Sequence, residues 1–172
     1  MRSVLVRPAR ATDLTALAPL AAQWFTTAFS GQVAEANLRP YVVASFSLER
    51  LAHEMSEPRS YIFVAEAQGA LVGYVRLLEG QVPFDRSLAG TRIVRLYVES
   101  SLIGTGIGAA LMRTSVEHAQ GAQCSCLWLR VWEHNRNAIE FYTRWGFARR
   151  SLIDFEMLDG IKTDWLMSKS LE

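Results

Sequence analysis

Apolar residues recur along this chain in two periods, one helical and one alternating, and the switches between them predict a mixed α/β chain. Val4 and Val6 alternate with polar neighbours between Ser3 and Pro8, which predicts a short first strand. Thr12 offers a hydroxyl suited to capping a helix, with Asp13 in its first turn. That helix should reach about Phe29, near Gly31, with Pro19 kinking or splitting it. Leu38 to Met55 reads as one or two further helices with a break near Ser45 to Ser47, stopped by Glu57-Pro58. Tyr61 to Ala67 and Leu71 to Leu78 are β-rich runs joined by Gln68-Gly69-Ala70, a hairpin signature.

Gly80 to Gly90 reads as a loop carrying Pro83, and Ile93 to Val98 as the next strand. A helix from about Gly106 to Gln120, stopped at Gly121, leads to a buried-type strand at Leu127 to Val131. Asn137 to Trp145 is a short helix ended by Gly146. Phe147 to Met157 and Thr163 to Ser168 close the chain as strands around an Asp159-Gly160 turn. A helix between the strands at Ile93–Val98 and Leu127–Val131 predicts a crossover unit.

Composition narrows this picture little. A length of 172 residues suits one domain spanning residues 1–172. Half of the residues are hydrophobic and a fifth charged, as in ordinary globular proteins. The net charge of +1 gives no excess that would point to nucleic acid or to a polycation partner. No apolar run is long enough to span a bilayer. The Ala- and Leu-rich stretch from Ala11 to Phe25 carries Asp13, Pro19 and Gln23 and does not read as a signal peptide. The expectation is therefore a cytoplasmic protein with no nucleic-acid or membrane partner, and a homodimer is compatible with it. Cys124 and Cys126, two residues apart on one strand face, read as packed thiols rather than a bridge or a zinc site, so no metal is expected.

The chemistry concentrates in two segments. The first runs Leu96-Tyr97-Val98-Glu99-Ser100-Ser101-Leu102-Ile103-Gly104-Thr105-Gly106-Ile107-Gly108. Glycines leave backbone N–H groups uncovered, and the helix that starts here points its positive end at whatever approaches, so a pyrophosphate would fit. A plain tight connection is the other reading. A P-loop is set aside because Ala109 and Ala110 follow Gly108 where Lys-Ser/Thr is needed. A Rossmann loop would be expected beside the first strand.

The second segment runs from Val131-Trp132-Glu133-His134-Asn135 through Ala138, Phe141 and Tyr142 to Trp145-Gly146-Phe147. Asn135 or Asn137 can cap the helix. The small Ala138 would let a cofactor lie against it. Phe141, Trp145 and Phe147 read as core, whereas the Tyr142 phenol needs a partner if buried.

Together the two segments resemble the GNAT N-acetyltransferase superfamily, in which an Arg/Gln-x-x-Gly-x-Gly/Ala loop precedes Asn-x-x-Ala-x-x-Phe-Tyr-x-x-x-Gly-Phe. The second motif matches from Asn135 to Phe147. Along the chain the sequence is similar to the PaiA-like polyamine (spermidine/spermine) N-acetyltransferase branch, through Trp132-Glu133-His134-Asn135, the Phe25 to Phe29 helix and the ending from Lys162 to Leu171. The resemblance implies a GNAT fold of about seven strands with flanking helices, splayed between strands 4 and 5, with acetyl-CoA as cosubstrate in the splay. It implies that Leu96, Tyr97 and Val98 meet the pantetheine arm and that Ile103, Gly104, Thr105, Gly106, Ile107 and Gly108 hold the pyrophosphate. Asn135 and Ala138 would lie against the cofactor, and Tyr142 would donate a proton to the departing thiolate. Two positions depart from the family: Ile103 stands where Arg or Gln is usual, and Val94 where relatives often carry a strand carboxylate.

Stripping the proton from a lysine-like amine of pKa about 10.4 near pH 7 costs roughly 4–5 kcal/mol, so a base is needed. Glu133 is the first candidate and Glu99 the second, ahead of His53, His118 and His134. A thiol leaving group of pKa about 8.5 needs help rather than rescue, which is the role left for Tyr142. A backbone N–H near Val98 could steady the oxyanion. No cysteine lies in a motif that would make it an acyl carrier, so transfer should be direct. Trp24, Phe25, Phe29 and Trp132, with Tyr41 and Phe84, are candidates for the acceptor pocket, each with core packing as the competing reading. A polyamine site should show several carboxylates, and Glu35, Glu133 and Asp154 are available. Three functions follow: acetylation of a small-molecule amine such as a polyamine, acetylation of a protein or peptide amine or an amino sugar, and a non-catalytic acyl-CoA-binding regulator.

Overall fold

The computed structural model describes residues 4–157 and 160–171. Its elements are β1 (Val4–Pro8), α1 (Leu14–Phe29), α2 (Glu35–Phe46), α3 (Leu48–Ser56), β2 (Ser60–Ala67), β3 (Ala70–Val82), β4 (Asp85–Val98), α4 (Ile107–Gly121), β5 (Cys126–Trp132), α5 (Arg136–Arg144), β6 (Ala148–Met157) and β7 (Gly160–Ser170). The seven strands form one mixed sheet in the order β1-β2-β3-β4-β5-β7-β6, with flanking helices, as the α/β expectation required. The described chain divides into two compact units: residues 1–77 with 95–115, and residues 78–94 with 116–172. Asp159 of the expected closing turn lies outside the described residues.

In the first unit, α1 buries Leu14, Leu17, Ala18, Ala21, Trp24 and Phe25 on one stripe at helical spacing. The stripe packs with Leu38, Phe46, Leu51, Ile62, Val64 and Tyr74 in a single core cluster. This explains why Pro19 does not split the helix. The ring sits on the exposed face, the carbonyl it leaves without a donor belongs to exposed Thr15, where water can reach it, and the packed stripe holds the rest. The start of α1 also differs from expectation. A 3-10 turn at Ala11–Asp13 precedes it, so Thr12 is already inside the turn. Asp13 does the capping, accepting from the Arg10 N–H at 2.6 Å. The Arg7 guanidinium also holds that carboxylate, pulling its pKa down to about 2. The break between α2 and α3 falls at Ser47, whose hydroxyl oxygen accepts from the Arg50 N–H at 3.1 Å.

In the second unit the expected Gly80–Gly90 loop is instead strand. β3 continues to Val82 and β4 begins at Asp85, leaving Pro83 and Phe84 as the turn. Asp85 secures that turn by accepting from the Ser87 N–H at 3.0 Å and its hydroxyl at 2.6 Å. Gly90 marks a close approach rather than a loop: an added Cβ would meet Val82 at 2.7 Å and the Cys126 carbonyl at 3.1 Å.

β4 and β5 run parallel from Gly90 opposite Cys126 to Ile93 opposite Leu129, after which both strands continue. This short ladder is what a splay between the fourth and fifth strands calls for. β5 pairs antiparallel with β7, and β7 with β6. Cys124 precedes β5 instead of lying on it, and both thiols are buried and free.

Candidate active site

The glycine-loop half belongs to the first unit. Leu96, Tyr97 and Val98 close β4, half-buried, and the Glu99 N–H donates to the Val72 carbonyl at 2.9 Å. A 3-10 turn at Ser100–Leu102 then leads into the loop. Gly104 and Gly106 have φ of +84° and +96°, and no atom lies within 4 Å of where a Cβ would stand at either. Only glycine enters these angles without strain. Buried Ile107 anchors the start of α4, and the Ala110 N–H donates to the Gly106 carbonyl at 3.0 Å as the first helical bond. The N–H groups before Ala110 therefore have no partner within the helix and face outward at its positive end. Among the side chains of the loop, Thr105 turns inward, its hydroxyl donating to the Leu102 carbonyl at 2.6 Å. Ile103 is 72% exposed. The cradle is thus a backbone one, and its open glycines fit a diphosphate.

Glu99 is spoken for. It accepts from the Trp24 indole N–H at 2.8 Å and from the Ser100 hydroxyl, and the Trp24 bond above all holds its pKa below the ordinary glutamate range. A carboxylate so held is a weak base. The same bond fixes Trp24 in the core. Phe25 is also buried, with its ring 4.7 Å from Phe29 and 5.2 Å from Phe46, while Phe29 is half-buried at the edge. The sequence reading missed a buried charge network in this unit. Glu54 is fully buried and accepts from Arg50 at 2.9 Å and from Arg95 at 2.7 and 3.1 Å, and it pairs with Arg76 at 3.2 Å. The i,i+4 spacing of Arg50 and Glu54 was the available signal, but nothing local tied it to Arg76 or Arg95.

The Asn135 half belongs to the second unit. Asn135 caps α5, its Oδ1 accepting from the Ala138 N–H at 3.2 Å, which leaves its Nδ2 group as a donor. Gly146, at φ of +87°, ends the helix. Tyr142 is buried between Phe141 and Phe147, at ring distances of 5.4 and 5.6 Å. No hydrogen bond to its hydroxyl occurs among the described residues. Burial pushes the phenol well above the ordinary tyrosine range, so it keeps its proton at neutral pH.

Glu133 follows β5, with its N–H donating to the Thr163 carbonyl at 3.0 Å and its side chain a third exposed, 3.7 Å from the exposed His134. It lines a cleft of about 300 Å³ with Arg136, Ile139, Glu140, Arg149 and Trp165. Trp132 is half-buried, edge-on to His134. A second carboxylate, absent from the sequence-based candidates, stands opposite Trp132 in the ladder: Asp164 of β7. Burial raises its pKa, while Arg130, at 3.2 Å, and Arg92 pull it down.

Residues 21–147 match the acetyltransferase (GNAT) family. An uncharacterized N-acetyltransferase of Mycobacterium bovis is 31% identical over 160 residues, covering 93% of this chain and 99% of that one. The spermine/spermidine N(1)-acetyltransferase of Bacillus subtilis is 28% identical over 92 residues, covering 51% of this chain and 59% of the relative. The PaiA N-acetyltransferase of Thermoplasma acidophilum, solved in complex with coenzyme A, shares the fold with a TM-score of 0.80 at 20% identity, over 98% of this chain and 99% of that one.

Proposed function

The chain belongs to the GNAT acetyltransferase family and is an N-acetyltransferase with acetyl-CoA as its cosubstrate, and from that premise we propose that it moves an acetyl group directly to a primary amine of a small molecule. The reading takes residues 1–172 as one catalytic domain. When bound, acetyl-CoA supplies an activated acetyl group and a thiol leaving group. The observation that carries the proposal is the start of α4, where two left-handed glycines leave main-chain N–H groups open to a diphosphate. Ile103 to Gly108 wrap that diphosphate, with the donors coming from Gly106 to Gly108, since the Ile103 and Thr105 N–H groups already donate to the Ser100 and Leu102 carbonyls. Leu96 to Val98 offer main-chain groups to the pantetheine arm, and the Val98 N–H serves the oxygen that gains negative charge. Asn135 donates through Nδ2, and Ala138 leaves room beside the helix.

Tyr142 serves the sulfur. Its raised pKa keeps the phenol protonated, yet makes complete transfer to a thiolate of conjugate-acid pKa about 8.5 uphill. The phenol therefore acts as a hydrogen-bond donor that shares its proton with the departing sulfur as negative charge grows on it, and the released thiolate takes its full proton from solvent. Glu133 is the base, working through water. A polyamine is the acceptor that the similarity to the Bacillus subtilis spermine/spermidine enzyme favours. Thiol release from acetyl-CoA against a panel of small amines and peptides tests the reading. Release with small amines and not with peptides is expected. Release with peptides alone would move the protein to N-terminal or lysine acetylation. Cofactor binding with no release for any amine would make it a non-catalytic regulator.

A further inference from the structure

Residues that face one another in a β-ladder project to the same side of the sheet. The register places Arg92 opposite Trp128, Trp128 opposite Ser168, and Trp132 opposite Asp164, with Arg130 on the same side by alternation. The contacts agree. The Arg92 guanidinium lies over the Trp128 ring at 5.1 Å, and that of Arg130 over Phe155 at 5.4 Å. Arg150 donates to the Ser168 hydroxyl at 2.7 Å and stacks over Phe84 at 5.5 Å. Arg130 pairs with Asp164 at 3.2 Å. Among the described residues, this face of the second unit therefore sets three stacked arginines, with Lys162 opposite Phe155 beside them, and the Asp164 carboxylate on an aromatic floor. None of its arginines was read as functional from the sequence.

This charge balance is wrong for a polycation and right for an acceptor that carries an anionic group beside its amine. A planar guanidinium held flat by a ring keeps its N–H edge directed at a carboxylate, and loses little freedom on binding it. Asp164 supplies the complementary partner for an ammonium, a short distance from Arg130. We propose that the acceptor is an amino-acid-like zwitterion whose carboxylate is taken by Arg130 and Arg92 and whose ammonium is held by Asp164 before it is deprotonated. The inference rests on the acetyl-transfer reading and replaces the polyamine with a different substrate class.

The test uses the full chain with L-phenylalanine, L-glutamate, their amides and spermidine, in two assays. In thiol release from acetyl-CoA, the acids should exceed their amides in kcat/KM by about 10²-fold, the scale of a lost charged hydrogen-bond pair, and spermidine should fall below both. Arg130→Met should bring the acid-to-amide ratio close to one, and Arg130→Lys, which keeps the charge, should restore part of it. In the second assay, L-phenylalanine binding to the coenzyme A-loaded protein is followed by calorimetry and should be lost in Arg130→Met. Faster turnover of spermidine than of any acid, or an acid-to-amide ratio that Arg130→Met leaves unchanged, overturns the proposal. Binding of the acids without thiol release for any amine would sink the acetyl-transfer reading while keeping the anionic-ligand assignment. Absence of both binding and release would sink the two together.

Discussion

The two segments proposed to hold the cosubstrate are made of different material. In the glycine loop the chain offers main-chain N–H groups, and its side chains do little for a ligand: Ile107 is buried as an anchor, Thr105 bonds its own loop and Ile103 projects outward. In the Asn135–Phe147 segment the proposed chemistry rests on side chains, the Asn135 amide and the Tyr142 phenol. A backbone cradle tolerates exchange of its side chains so long as φ is preserved, so the proposed site asks no side-chain donor of Ile103. A side-chain site allows no such exchange. Substitutions should therefore hurt by chemistry in one segment and by conformation in the other.

The largest effect is expected at Tyr142. Tyr142→Phe keeps the ring packing against Phe141 and Phe147 but removes the donor, and kcat should fall roughly 10²-fold with coenzyme A affinity retained. Steady-state thiol release checks this, and wild-type turnover would remove Tyr142 from the mechanism. Next comes Gly106→Ala. Nothing lies within 4 Å of the added methyl, so the cost is that of φ at +96°, about 1–2 kcal/mol. Coenzyme A affinity measured by calorimetry should drop about tenfold, and unchanged affinity would mean that the loop is only a connection. Asn135→Ala removes a helix cap worth about 1 kcal/mol. The melting temperature should fall about 2–4 °C, with coenzyme A held more weakly. A change in melting alone would leave Asn135 as a cap and no more. The smallest effect is a gain: Ile103→Arg should tighten coenzyme A a few-fold at low salt, the scale of an exposed charge pair, and lose the gain as salt rises.

The same contrast governs what the sequence disclosed. Helical and alternating periods located the elements because burial imposes them. The Asn135–Phe147 segment stood out in the sequence because its motif residues lie within one short window, and the structure bears out its helix, with Asn135 as the cap and Gly146 at the end. The exceptions have local causes. Pro83, Gly80 and Gly90 are punctuation residues in composition, but a tight turn and a close strand approach use them inside a hairpin. Pro19 sits on a solvent face that tolerates it. Glu99 looked available until the fold brought Trp24 to it, 75 positions away in sequence. The Glu54 network and the Arg92–Arg130–Asp164 face are built across strands and helices far apart in sequence, and no window of neighbouring residues contains them. A pattern written along one segment shows in the sequence, while contacts assembled by pairing do not.

The central claim is direct acetyl transfer to a small amine, and product stoichiometry tests it most directly. The protein is incubated with acetyl-CoA and an amine from the panel, free thiol is titrated, and the amine is weighed by mass spectrometry. The account predicts one acetylated amine for every thiol released, with no acetyl group left on the protein. Thiol released without acetylated amine, or an acetyl group retained on the chain, would contradict it.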